Sequence, residues 1–321
     1  MKIMIAGGAG YIGTRLCNEL SLEGHNVTAI DLFWFGDYLE NSVNKIKADI
    51  MDLDIKQISD YDCVVFIAGL SNDPMANFSP RRNFIENAAT PTYLAYLCKK
   101  AGVKRFVYAS SCSVYGFTDN KIMTEKDEVN PEYPYGISKL QTEYSIMKMQ
   151  DNNFRPISLR KGTVGGWSPR MRFDLVVNTM TKYATTQGKI TVHNPNLWRP
   201  LVDIRDAVQA YKKSIFSDPS VAGVFNISHS NYKIGDLAIQ IKEKLEEYGY
   251  QIDLDIQNRP DVRNYLASNE KAKTILNFKP VFTPKDSIEE IMQNINFDNI
   301  NINDKSYYNI LTFEELVNDT K

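Results

Sequence analysis

The chain has 321 residues, 43% of them hydrophobic, a formal net charge of -2 and four cysteines. That is enough apolar sequence for one large or two coupled domains, and the charge leaves no electrostatic footprint for nucleic acid. No apolar run is long enough to span a bilayer, and MKIMIAGGAGYIG turns to glycine too early for a signal peptide.

From the N-terminus, short β-rich runs alternate with helical patterns. The runs are KIMIA, NVTAI, KIKADI, CVVFIA, KRFVYAS and PISLR; between them lie stretches such as GTRLCNELSLEG and TPTYLAYLCKKAG, with apolar residues three and four apart. Strands apolar on both faces and separated by helices predict an α/β chain with a Rossmann-type, doubly wound parallel sheet. After about residue 162 the pattern loosens: GTVGGWSPRMRFD reads as loop, KITVHN and GVFNIS as strands, IDLDI as a last strand and NILTFEELVNDT as a terminal helix. Cys17, Cys63, Cys98 and Cys112 show no CxxC spacing, so they read as reduced thiols of a cytoplasmic protein without a metal site.

The first strand-to-helix turn carries Gly7, Gly10 and Gly13. Gly7 permits the tight turn, Gly10 lets backbone approach a pyrophosphate, and Gly13 lets helix and strand pack closely. Tyr11 and Ile12 open the helix whose free N–H groups face the anion. Asp31 ends the next strand, where a carboxylate accepts both ribose hydroxyls and repels a 2′-phosphate. The following LFWFG offers no arginine, so NAD is expected rather than NADP.

YxxxK occurs at Tyr96/Lys100, Tyr135/Lys139 and Tyr144/Lys148. The middle pair stands at a helix start after NPEYP and follows the Ser-rich strand end ASSCSVYG. That places it at the carboxyl edge of the sheet, where ligands bind. Residues i and i+4 share a helix face, so the Lys139 ammonium is expected to lower the Tyr135 phenol and make it a base near neutrality. Ser111 is placed to hold the same substrate oxygen. The chemistry implied is removal of a hydroxyl proton while the carbon-bound hydride leaves for a nicotinamide.

Together GGAGYIG, Asp31, ADIMD (48–52), FIAG (66–69), Asn87, SSCSVYG, YGISK, LWRPLVDIRDAV and RPDVRNYLASNEKAKTILNFKP resemble the extended short-chain dehydrogenase/reductases of the nucleotide-sugar epimerase/dehydratase type. The resemblance implies further cofactor contacts at Asp49, Ile50, Ala68 and Asn87, and a diphosphate grip by Arg199 and Arg263. It implies an NAD-binding domain over 1–162, with segments of about 199–230 returning to it. A nucleotide-sugar-binding lobe then takes 163–198 and 231–321. It also suggests a homodimer or higher oligomer through the helices around 88–101 and 136–150.

Three departures from that pattern matter. Cys112 and Ser113 stand where relatives that eliminate water carry an Asp-Glu pair, which disfavours a dehydratase. Cys112 is then expected as a small group beside the sugar, the alternative being a thiol acid or base. Thr163 replaces a usual Asn in holding substrate. Arg170 and Arg172 add cation beyond what a diphosphate needs, for an extra anion such as a second phosphate or a small keto acid that regenerates NAD; the alternative is a solvated loop. The sequence thus implies oxidation of a nucleotide-linked sugar at C4, by a 4-epimerase or 4-dehydrogenase. It resembles relatives in surface-polysaccharide pathways, including those acting on GDP-linked heptoses. A cofactor-sensing regulator without catalysis would not need Ser111, Tyr135 and Lys139 together.

Overall fold

The computed structural model describes residues 1–258 and 264–318. The first half runs β1 (Lys2–Ala6), α1 (Tyr11–Leu22), β2 (Asn26–Asp31), β3 (Asn44–Lys47), α2 (Ile55–Ile58), β4 (Cys63–Phe66), α3 (Asp73–Phe78), α4 (Pro80–Phe84), α5 (Thr90–Ala101), β5 (Arg105–Ser111), β6 (Phe117–Met123), α6 (Pro134–Lys148) and β7 (Arg155–Lys161). The second half adds β8 (Thr163–Gly165), α7 (Val176–Gln187), β9 (Lys189–His193), β10 (Trp198–Asp203), α8 (Ile204–Ile215), β11 (Gly223–Ile227), β12 (Ser230–Lys233), α9 (Ile234–Glu246), β13 (Asp253–Gln257), β14 (Asn264–Ala267), α10 (Glu270–Ile275), α11 (Pro284–Asn294) and α12 (Asn309–Asn318).

Seven strands form one parallel sheet in the order β3-β2-β1-β4-β5-β7-β11. Its inner strands are buried along most of their length because helices cover both faces. On one face Ile3, Ile5, Val27 and Val107 pack with Leu16 and Leu20 of α1 and Ala207 and Tyr211 of α8. On the other, Met4, Val64, Phe66 and Tyr108 pack with Leu94, Ala95 and Cys98 of α5. Strand order reverses between β1 and its neighbours β2 and β4, so the carboxyl ends open a crevice there, the ligand site of doubly wound sheets.

Small sheets hold the remaining strands, of which the sequence signalled β9 and β13. β8, β10 and β12 form one, β9 pairs with β13, and β6 with β14. These strands are short or polar: β6 is FTDNKIM, with five of its seven residues exposed. They exist because distant segments meet, as when Asn264 pairs with Phe117. β10 joins this minor layer, whereas α8 and β11 return to the large sheet.

Candidate active site

The turn from β1 to α1 is built by close approach. Gly7 has φ of 88°, and a Cβ there would lie 2.4 Å from the Ala68 nitrogen. A Cβ at Gly13 would lie 2.1 Å from the Gly7 carbonyl oxygen, so Gly13 works by packing helix on strand. Gly7, Gly10, Tyr11 and Ile12 line a cavity of about 380 Å³, together with Asp31, Asp49, Ile50 and Ala68. No side chain caps the N-terminus of α1, which leaves its first N–H groups for an anion. Asp31 accepts from the Ala9 and Phe33 nitrogens at 3.0 and 2.9 Å. Burial raises its pKa, while these donors and the Arg170 guanidinium oppose the rise. A glycine cradle, an open helix end and a carboxylate beyond them fit the pyrophosphate and ribose of NAD, which supplies a hydride acceptor when bound.

Ser111, Tyr135 and Lys139 line the same cavity. Lys139 Nζ lies 5.6 Å from the Tyr135 ring centroid and 5.3 Å from that of Tyr108. Ser111 Oγ accepts from the Ser113 nitrogen at 3.2 Å and from Ser113 Oγ at 3.0 Å. The other two pairs also stack tyrosine under lysine, yet Tyr96 and Tyr144 are exposed on the outer surface and do not border the cavity.

The electrostatics differ from the sequence expectation. Burial holds the Tyr135 phenol above its ordinary range, and Asp73 adds to the rise; Arg172 and a Ser111 hydrogen bond oppose it. Burial also pushes Lys139 down to about 7. In a dry cavity desolvation outweighs the mutual help of phenolate and ammonium. The cation that lowers Tyr135 most is therefore Arg172 rather than its own helix partner.

Arg172 donates from Nε and Nη2 to the two Asp174 carboxylate oxygens, both at 2.8 Å, and from Nη1 to Ser71 Oγ at 2.8 Å. Arg170 is 2% exposed, stacks at 3.8 Å over Phe35, and donates from Nη2 to Asn309 Oδ1 at 2.5 Å. Its Nε finds no partner, and burial, aided by Arg172, lowers its pKa to about 9. Both arginines line the cavity, so the solvated-loop alternative does not hold. Thr163, Arg199 and Tyr265 line the same cavity, with Arg199 at 5.3 Å from the Tyr265 ring. Arg263 lies outside the described residues.

Residues 3–228 match the family model described as the NAD dependent epimerase/dehydratase family. The chain belongs to that family. It is 26% identical over 309 residues to the UDP-glucose 4-epimerase of Lactobacillus helveticus, an alignment covering 87% of this chain and 92% of the relative. Among solved structures, MoeE5 in complex with UDP-glucuronic acid and NAD superposes with a TM-score of 0.81 at 23% identity, covering 92% of this chain and all of that one. The NDP-hexosamine 5,6-dehydratase TunA, of tunicamycin biosynthesis, superposes at 0.83 and 21% identity, covering 93% and 99%. At those identities the likeness to both structures is one of fold.

As an NAD-dependent family member the chain corrects two of its own sequence expectations. Cys112 does not border the cavity: it is 1% exposed, its thiol donates to the Arg160 carbonyl at 3.1 Å, and it packs with Val114, Tyr115 and Met123. Burial also pushes that thiol up to about 12. Asn87 is also fully buried and off the cavity wall. It holds the loop after β4 by donating to the Leu70 carbonyl at 2.8 Å and Asn83 Oδ1 at 2.7 Å. Sequence reasoning missed Lys161, Asp174, Tyr265 and Asn309, all of which border the cavity. A lysine ending an apolar strand was the one available signal; the others depend on distant segments meeting.

Proposed function

We propose that this chain oxidises a nucleotide-diphosphate sugar at a ring hydroxyl, C4 being the position to test first, with Tyr135 receiving the hydroxyl proton. The observation that carries the reading is that Ser111, Tyr135 and Lys139 share one cavity with a dinucleotide cradle at Gly7–Asp31 and with Thr163, Arg199 and Tyr265. Ser111 orients the substrate oxygen and Tyr135 takes its proton, while Lys139 sits under the phenol. Arg199 offers the guanidinium fork that suits a diphosphate. UDP-sugars are the first candidates, since the Lactobacillus helveticus relative is named a UDP-glucose 4-epimerase.

Whether the hydride returns separates a 4-epimerase from a 4-dehydrogenase. Burial of Cys112 counts against a dehydratase that uses it as acid or base. Arg170, with a buried Nε N–H and no partner, favours an additional anionic group in the site, from the substrate or from a small keto acid. A homodimer through α5 and α6 is supported by the exposed Tyr93, Tyr96 and Tyr144 on their shared outer surface. The two-lobe division at about residue 162, cytoplasmic location and a role in polysaccharide sugar synthesis complete the proposal; among the described residues no helix is long and apolar enough to cross a membrane.

The test mixes near-stoichiometric protein and NAD with UDP-, GDP-, dTDP- and CDP-sugars and follows NADH absorbance over one turnover. Lasting NADH with one sugar identifies a dehydrogenase. A changed sugar by NMR without lasting NADH identifies an epimerase, and deuterium from solvent at C5 would indicate dehydration. No change in any sugar would refute the reading.

A further inference from the structure

A Tyr-x-x-x-Lys pair brings one ammonium group to its cavity, and this cavity has two. Lys161 ends β7 directly opposite Ser111 at the end of β5, and it lines the cavity with Ser111, Tyr135 and Lys139. Its Nζ donates to the Ser110 carbonyl at 3.2 Å and lies 5.5 Å from the Tyr211 ring centroid. Among the described residues no carboxylate is paired with it. The ionisable groups that bear on it are Lys139, which opposes its protonation, and the Cys112 thiol, which favours it only where ionised. Burial, then Lys139, pushes Lys161 down to about 7, where Lys139 also stands. Nothing assigned to Ser111, Tyr135 or Lys139 requires this second amine.

Its position decides what it acts on. The oxygen held by Ser111 and Tyr135 is bonded to the carbon that loses hydride, so the nicotinamide ring must abut that carbon. Lys161 is in register with Ser111 on the neighbouring strand and lines the same cavity, so it shares the pocket that ring would enter. The ring carries a positive charge when oxidised and none when reduced. Below about pH 7, where both amines carry a proton, the two charges in this low-dielectric cavity penalise the oxidised form and leave the reduced one unaffected.

We propose that Lys161 is an electrostatic residue of the site that biases the bound nicotinamide toward its reduced, neutral form. The inference rests on the NAD-dependent reading of the cavity. The half-reaction balances within the ternary complex: the sugar C–H bond gives its hydride to NAD, the O–H bond gives its proton to Tyr135, and a C=O bond forms. By this bias the hydride is retained after sugar oxidation, until it returns to the ketone or to a second carbonyl compound.

Fluorescence titrations with NAD and NADH separately, in mildly acidic buffer, give the ratio of their dissociation constants for the wild type, Lys161→Met and Lys161→Arg. Wild type is expected to bind NADH at least about tenfold more tightly than NAD. In Lys161→Met that preference falls about tenfold, through tighter NAD binding with NADH nearly unchanged, whereas Lys161→Arg keeps it because the charge is kept. A wild-type ratio near one overturns the proposal without any variant. An unmoved ratio in Lys161→Met overturns it too and leaves Lys161 a packing residue. Failure of the wild type to bind either dinucleotide would overturn the NAD reading itself, and the proposal with it.

Discussion

Asn309 Nδ2 donates to Ser71 Oγ at 2.9 Å, tying the C-terminal helix to the loop that follows β4. The same side chain accepts from Arg170, so α12 forms part of the cavity wall. Phe313, one turn further, is fully buried against Leu70, Met75 and Trp34. Phe313→Ala is expected to cost about 3 kcal/mol, and Asn309→Ala about 1–2 kcal/mol by leaving Arg170 short of an acceptor. Thermal melts check both. Limited proteolysis should also show the tail cut first in Phe313→Ala, with slower cutting when NAD is present.

Tyr135 is the group that takes the proton. Tyr135→Phe should lower single-turnover NADH formation by about 10³-fold while leaving dinucleotide affinity within about threefold. Ser111→Ala, which removes orientation but not the base, should cost about 10²-fold. Stopped-flow absorbance distinguishes the two; wild-type rates in Tyr135→Phe would remove it from the chemistry.

Cys112 makes the opposite prediction. Its thiol is sealed in a small apolar cluster and hydrogen-bonded to backbone. Cys112→Ala should therefore keep turnover within about twofold while losing about 1–2 kcal/mol of stability. If turnover disappears as it does in Tyr135→Phe, a catalytic thiol must be reinstated.

The two lysines set a pH dependence of stability. Each has an ordinary pKa of 10.5, and each stands at about 7 in the fold. Between those values the unfolded chain binds more protons, so stability rises with pH across this window, and the full penalty is present below about 7. Lys161→Met should be more stable than wild type by about 2–4 kcal/mol near neutrality. The difference should fade as the pH approaches 10.5. Melting the ligand-free proteins across that window tests the sign; parallel curves would mean that Lys161 keeps its ordinary pKa.

Features with a local physical signature were legible in the amino-acid sequence. Apolar runs such as CVVFIA cannot be solvated, so they become inner strands of a covered parallel sheet. Gly7 and Gly13 sit where no Cβ fits, and a glycine turn ahead of a helix says so without a structure. Tyr135 and Lys139 share a helix face by their spacing, and their place at the start of α6 separates them from two exposed copies of the motif. Tertiary structure alone decided the rest. Cys112 and Ser113 are adjacent in sequence, yet one is enclosed in core and the other opens on the cavity. Arg170 meets Asn309 across 139 residues. The lowering of Tyr135 expected from Lys139 failed for the same reason: pKa depends on how much water the fold removes, and desolvation is a property of all the segments that close around a group.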